Sequence, residues 1–161
     1  MRDLVLVRSA DDRRRYDIEG VGSLRRVGLF SRTTLLLPDG DEPLTAQSRV
    51  SLSGQAEAVA AGGDVVGEFS EQTLLGHGGE VVWRGRKLRL ESGTVLISRY
   101  VLRDGRTRLL EVQARGWGDK PADVTLGDEP VDPGLVLFVL WLAQGFVDHD
   151  SGTGVATAAA T

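Results

Sequence analysis

The sequence contains no cysteine and only two histidines. The lack of cysteine excludes disulfide frameworks, thiol catalysis and cysteine-ligated zinc, and it is compatible with a reducing cytoplasm. The net charge of −4 gives no reason to expect nucleic-acid binding, which is typical of basic domains. With two histidines and no recognisable pair of carboxylates, the sequence predicts a non-catalytic protein without a metal or another cofactor.

Long hydrophobic runs are also scarce. No apolar stretch reaches the roughly 20 residues that a membrane-spanning helix needs, so we expect no transmembrane segment. The start of the chain, residues 1–7, includes Asp3 and an apolar run too short for a signal peptide. We therefore expect a cytoplasmic protein, and its 161 residues are consistent with one globular domain.

One apolar stretch stands out near the end of the chain, at residues 133–147. Asp132 occupies an N-cap position and Pro133 the first helical position, which together predict a helix start. Its apolar residues surround the helix, with Gln144 as the polar exception, so it must be enclosed on every side. At about 22 Å it is too short to cross a bilayer, and we predict a helix enclosed by protein.

Most of the preceding chain consists of short extended runs separated by turn residues. Two hairpins are the clearest: residues 80–84 and 87–91 flank Gly85, and residues 95–102 and 107–114 flank Asp104-Gly105. The other predicted strands are residues 4–7, 15–19, 23–30, 33–37, 48–60, 64–69, 72–75 and 122–126. Eleven or twelve short strands with one helix predict a sandwich or a barrel.

A sheet of about twelve strands removes its exposed edges by closing, and the wide interior of such a barrel needs filling. The enclosed helix would fill it. We therefore predict an all-β fold, a closed or nearly closed barrel of about 12 mostly antiparallel strands around a hydrophobic C-terminal helix. The domain would cover residues 1–148, and residues 149–161, rich in Gly, Ser, Thr and Ala, would form a flexible tail.

Many short strands followed by an all-apolar helix that ends in an aspartate, from Asp132-Pro133-Gly134 to Val147-Asp148, resemble the tubby-like superfamily. This superfamily includes tubby C-terminal domains, phospholipid scramblases and LURP-one-related proteins, with small bacterial members. The resemblance implies a twelve-stranded barrel around a hydrophobic helix. It also implies binding of phosphoinositide headgroups or action at membranes, although the headgroup-binding residues of tubby domains have no matching positions here.

Arginine groups provide the candidate binding site. If Arg14 and Arg15 lie on a strand next to Arg25 and Arg26, with Arg32 nearby, they would form a cationic patch for phosphate or an anionic lipid surface. The alternative is a solvated outer face of the barrel, whose arginines are balanced by the 23 acidic residues.

Three short motifs are weaker candidates for chemistry. Gly76-His77-Gly78-Gly79 is similar to an esterase oxyanion loop, but the chain has no Gly-x-Ser-x-Gly nucleophile motif. Asp150-Ser151-Gly152 matches the triplet of aspartic proteases, but it lies in the predicted tail. Asp148-His149-Asp150 could hold a metal only with further ligands. We interpret all three as incidental. The three tryptophans, Trp83, Trp117 and Trp141, are predicted to be core or barrel-closing residues.

Two functions remain open at this point. The first is a binding module for an anionic ligand or a phospholipid headgroup, peripheral at the inner membrane face if that ligand is a lipid. The second is a protein-interaction or scaffolding domain without a small-molecule ligand. A hydrolase that uses His77 or the tail triplet is the weakest hypothesis.

Overall fold

The computed structural model describes residues 1–27, 33–48, 54–72, 78–93 and 98–160, with side chains described as far as Asp148. Arg32 and His77 lie outside these ranges, as do most of the predicted strand 72–75 and the start of the predicted strand 95–102. The elements are β1 (Arg2–Arg8), β2 (Arg15–Ile18), β3 (Gly22–Arg26), β4 (Thr33–Pro38), β5 (Leu44–Ser48), β6 (Gln55–Ala60), β7 (Val65–Glu71), β8 (Gly79–Trp83), β9 (Arg86–Ser92), β10 (Arg99–Asp104), β11 (Thr107–Ala114), β12 (Ala122–Leu126) and α1 (Pro133–Ala160).

The twelve strands form one closed antiparallel barrel in which each strand pairs with its neighbours in sequence and β1 pairs with β12. This confirms the predicted barrel with one helix. Along the strands, side chains alternate between the interior and the outer wall, as in β4 and β8, where every second residue is buried. Closure leaves the described strands without an unpaired edge.

Turn chemistry and one bulge explain two details of the strands. Arg84 and Gly85 connect β8 to β9 with φ angles of 48° and 84°. Two-residue hairpin turns need positive φ at both residues so that the twist of the turn matches that of the strands. Between β10 and β11 the register shifts after Leu102, so that Leu109 and Leu110 are both buried. This bulge accounts for the imperfect alternation of the β11 sequence.

The helix α1 occupies the barrel interior. Six successive residues, 135–140, are buried, and six residues at about 100° each cover the full circumference of a helix. Strand β11 contacts the helix on one side, whereas β3, β4 and β5 contact it from nearly the opposite side of the ring. None of the described helices is long and apolar enough to cross a membrane.

Asp132 begins the helix as predicted. Its Oδ1 accepts a hydrogen bond of 2.9 Å from the backbone N–H of Gly134, which would otherwise lack a partner in the first turn. The helix continues beyond Val147, where the sequence was expected to end it, and its backbone runs to Ala160. Residues 149–160 include no proline, the residue that would break a helix outright.

Strand β5 was not predicted as a strand of its own, and the predicted strand 48–60 begins only at its last residue, Ser48. Leu44 and Ala46 face the interior, and Thr45 and Gln47 face outward, so the alternation is present but short and carried by a small residue. Glycine and alanine also face inward nearby, at Ala56, Ala58 and Gly67. These small residues leave space for the helix and for the Trp83 ring.

Candidate anion-binding site

The barrel has two distinct ends, defined by the course of α1. At the entry end, where the helix begins, Asp132 contacts the β8–β9 turn through Trp83 and Arg84. At the exit end, the buried Gln144 donates a 2.7 Å hydrogen bond from Nε2 to the carbonyl of Pro121. The segment 115–121, between β11 and β12, therefore lines the exit end.

The predicted arginines meet on neighbouring strands at this exit end. Arg15 of β2 lies directly opposite Arg25 of β3, and the backbone N–H of Arg26 donates a 2.9 Å hydrogen bond to the carbonyl of Arg14. All four side chains are exposed. The structure thus brings together four of the five predicted residues, while Arg32 lies outside the described residues.

The four arginines do not form one uniform patch, because alternation along the strands divides them into two pairs. Tyr16 and Leu24 face the interior, so the adjacent Arg15 and Arg25 face the outer wall. Each of these two has a carboxylate partner: Arg15 pairs with Asp17 at 2.8 Å and Arg25 with Asp12 at 3.3 Å. This outer pair resembles the neutralised strand face that was the alternative interpretation.

Arg14 and Arg26 lie one position further along, on the side of the sheet that faces the mouth of the barrel. No carboxylate among the described side chains lies within ion-pair distance of either guanidinium. Arg26 instead lies over the ring of Trp117, 5.1 Å from the ring centroid. Such a contact holds a guanidinium in place but leaves its N–H groups free to bind an anion.

Aromatic rings on the barrel side of Arg26 hold its guanidinium in position. The Trp117 ring packs against Tyr16, with centroids 4.7 Å apart, and Tyr16 is almost completely buried in the barrel wall. Arg8 covers the other side, 5.7 Å from the Tyr16 ring centroid, and its Nη2 donates a 3.3 Å hydrogen bond to the Tyr16 hydroxyl. The stack fixes Trp117, and through it Arg26, relative to the rigid strands.

A carboxylate from the helix completes the arrangement. Asp148 lies beside the 115–121 segment, with Oδ1 about 4.0 Å from the position that a side chain at Gly116 would take. Burial raises the pKa of Asp148, whereas the charge of Arg26 and the indole of Trp117 act in the opposite direction. We call this group the mouth cluster, and its members are Arg8, Arg14, Tyr16, Arg26, Trp117 and Asp148.

Two members of the mouth cluster, Arg14 and Arg26, were predicted from the sequence as binding residues. The other four were not. Trp117, predicted to be a core or barrel-closing residue, is half-buried at the rim and packs against the core. The signal that could have located it is its sequence context, Arg115-Gly116-Trp117-Gly118-Asp119, a polar and glycine-rich segment that suits a loop better than a core. Trp83 is buried in the core as predicted, and Trp141 lies on the helix against Phe138.

The remaining sequence candidates receive little support from the geometry. Asp150-Ser151-Gly152 lies within the backbone of α1, not in a loop between strands. No group of three or more potential metal ligands occurs among the described residues. Gln144 bonds a backbone carbonyl through Nε2, and its Oε1 has no hydrogen-bond partner among the described groups.

Comparison with known proteins does not add an identity. No family model matches the chain, and neither a curated protein nor a solved structure does. The class that the structure defines is a twelve-stranded antiparallel barrel with an internal helix and an arginine-bearing mouth.

Proposed function

We propose that this protein is a non-catalytic binding module whose mouth cluster binds a phosphate-bearing anion. One observation carries the proposal: Arg14 and Arg26 lie on hydrogen-bonded neighbouring backbones, both exposed, without an ion-pair partner among the described side chains. Two adjacent guanidinium groups repel each other, and an anion between them relieves that repulsion while accepting several N–H donors.

The rigidity of the surroundings also favours binding. Trp117, which packs on Tyr16, holds Arg26 through a ring contact, so little side-chain freedom is lost when a ligand binds. The other arginines of the outer wall are largely neutralised, as in the pairs Arg86–Asp104 and Arg99–Glu111. At the mouth, Arg14 and Arg26 form no such close pair with a described side chain, although the charge of Asp148 acts on Arg26.

The phosphate could belong to a small molecule or to a lipid headgroup. The resemblance of the sequence to the tubby-like superfamily favours the headgroup, at the cytoplasmic face of a membrane. Both ligands present the same chemistry to Arg14 and Arg26, so separate experiments must distinguish them. The protein should be tested for flotation with vesicles of phosphatidylcholine alone and with phosphatidic acid added, at low and high salt, and for binding of inorganic phosphate and pyrophosphate in solution.

We expect binding that weakens as salt screens the arginines. Arg14→Gln and Arg26→Gln should each weaken it, whereas Arg106→Gln removes the same charge from an exposed turn at the entry end and should not. Flotation with the anionic vesicles only, lost in Arg14→Gln, would identify the lipid. Binding of pyrophosphate without flotation would identify a soluble ligand.

A protein that binds neither vesicles nor phosphates would leave the protein-interaction domain as the better hypothesis. One feature of the outer wall favours that alternative. Half-buried or exposed Leu35, Val59 and Val65 lie in one row across the strands, with Thr45 between them. Analytical ultracentrifugation of the purified chain would show whether it self-associates, as covering of this row by a second copy requires.

A further inference from the structure

We propose that Asp148 acts as an internal competitor at the mouth cluster, so that an incoming anion must displace its carboxylate from the neighbourhood of Arg26 and Trp117. This inference rests on the proposed function, because it describes how the same site is regulated. The competitor is carried by α1, the helix that fills the barrel, and binding at the surface is therefore linked to the part of this helix that leaves the barrel.

The geometry places Asp148 where a ligand would approach. Its side chain is partly exposed at the exit end, beside Gly116, and Gly116 is followed by Trp117, whose ring supports Arg26. Arg26 and Trp117 both favour the ionised carboxylate, whereas the surrounding protein disfavours it. The mouth cluster thus already holds one anion, in the form of a side chain.

Two other acidic groups at this end have different partners. Asp12 pairs with Arg25 on the outer wall, and Asp119 lies 3.6 Å from Arg8 on the far side of Tyr16. Asp148, by contrast, interacts with Arg26 and with the Trp117 indole. A ligand phosphate would bring at least one further negative charge into this space, and two like charges close together repel each other.

Displacement must be reciprocal. If the carboxylate of Asp148 weakens anion binding, then a bound anion weakens the interaction of Asp148 with Arg26 and Trp117 by the same factor. The backbone of α1 continues from Asp148 to Ala160. A ligand at the mouth would therefore change the contacts between the barrel and α1 at the exit end, where α1 leaves the barrel.

The test uses the full chain and its three tryptophan indoles, whose ¹H–¹⁵N resonances can be assigned with Trp→Phe variants. Pyrophosphate is titrated at constant ionic strength into the wild type and into Asp148→Asn. The Trp117 indole should shift, while the Trp83 indole, which is bonded to Asp132 at the entry end, should stay in place as an internal control. Asp128→Asn is the matched variant, since it removes one negative charge at the entry end.

We expect Asp148→Asn to bind pyrophosphate about two- to fivefold more tightly than both the wild type and Asp128→Asn, the range that one partly exposed charge pair supports. Equal affinities in the three proteins would overturn the competitor role and leave the proposed function standing. A gain of the same size in Asp128→Asn would also overturn it, since the effect would then come from net charge. Absence of binding to every protein would overturn the proposed function and this inference together.

Discussion

The indole Nε1 of Trp83 donates a 2.8 Å hydrogen bond to Oδ2 of Asp132, and this bond joins the β8–β9 hairpin to the first turn of the core helix. The other oxygen of the same carboxylate caps the helix at Gly134. Arg84, in the hairpin turn, adds a contact of 3.1 Å to Oδ2. One side chain therefore begins the helix and fixes its position relative to the barrel wall.

Replacing this carboxylate should lower stability through two separate losses. Asp132→Ala removes the N-cap and leaves the indole N–H of the buried Trp83 without an acceptor, which together should cost about 2–4 kcal/mol in the free energy of unfolding. Chemical denaturation measures this change. Asp128→Ala, in the same connection before α1 but exposed, is the control and should have a much smaller effect. A similar loss in both variants would contradict the role assigned to Asp132.

The Trp83 ring is enclosed by two glycines, one on a strand and one on the helix. A Cβ at Gly67 would lie 2.4 Å from Cε3 of Trp83, and a Cβ at Gly134 would lie 3.0 Å from Cζ2. Gly67→Ala should therefore displace the ring and lower the free energy of unfolding by about 1–3 kcal/mol, the usual cost of overpacking a core. Gly62→Ala, in a turn where an added Cβ meets nothing within 4 Å, should be tolerated.

A clash with the Trp83 ring can be distinguished from the mere loss of glycine at position 67. In a Trp83→Phe background the smaller ring leaves space next to residue 67, so the penalty of Gly67→Ala should fall. A double-mutant cycle over the two positions measures this difference. An unchanged penalty in the Trp83→Phe background would show that the cost does not come from the indole ring.

A charge inside the barrel should prevent folding. Leu137 and Leu140 are both completely buried on α1, and a carboxylate at either position would have neither water nor a described partner. We expect Leu140→Asp to be absent from the soluble fraction, or to lack a cooperative thermal transition, whereas Leu140→Met keeps an apolar side chain of similar volume and should fold. A soluble and cooperatively melting Leu140→Asp protein would contradict the position of the helix.

The fold could be predicted from the sequence because its main signals are local. Asp132 and Pro133 mark the start of the helix, and an apolar surface all around that helix demands enclosure. The mouth cluster depends on contacts between distant parts of the chain, since Arg26, Trp117 and Asp148 come from a strand, a connecting segment and the helix. No spacing in the sequence predicts these contacts. The proximity of Arg14 to Arg26 likewise follows only from the pairing of β2 with β3.

The ionised carboxylate of Asp148 should reduce stability at neutral pH. Burial raises its pKa in the folded state, more than Arg26 and Trp117 lower it, so the folded protein binds the proton more tightly than the unfolded chain does. The folded state is therefore penalised above the folded-state pKa, and the penalty disappears as pH falls through that pKa towards the ordinary value of about 4. Asp148→Asn, which cannot ionise, should melt at a higher temperature than the wild type at pH 7.

The pH dependence distinguishes this effect from a general gain of stability. The difference in melting temperature between Asp148→Asn and the wild type should shrink as pH is lowered from 7, because the wild-type carboxyl becomes neutral as well. Asp128→Asn should change stability in the opposite direction. The N-terminal ammonium lowers the pKa of Asp128, so this variant should lose stability at pH 7. If the advantage of Asp148→Asn were the same at every pH, the carboxylate charge would not be its cause.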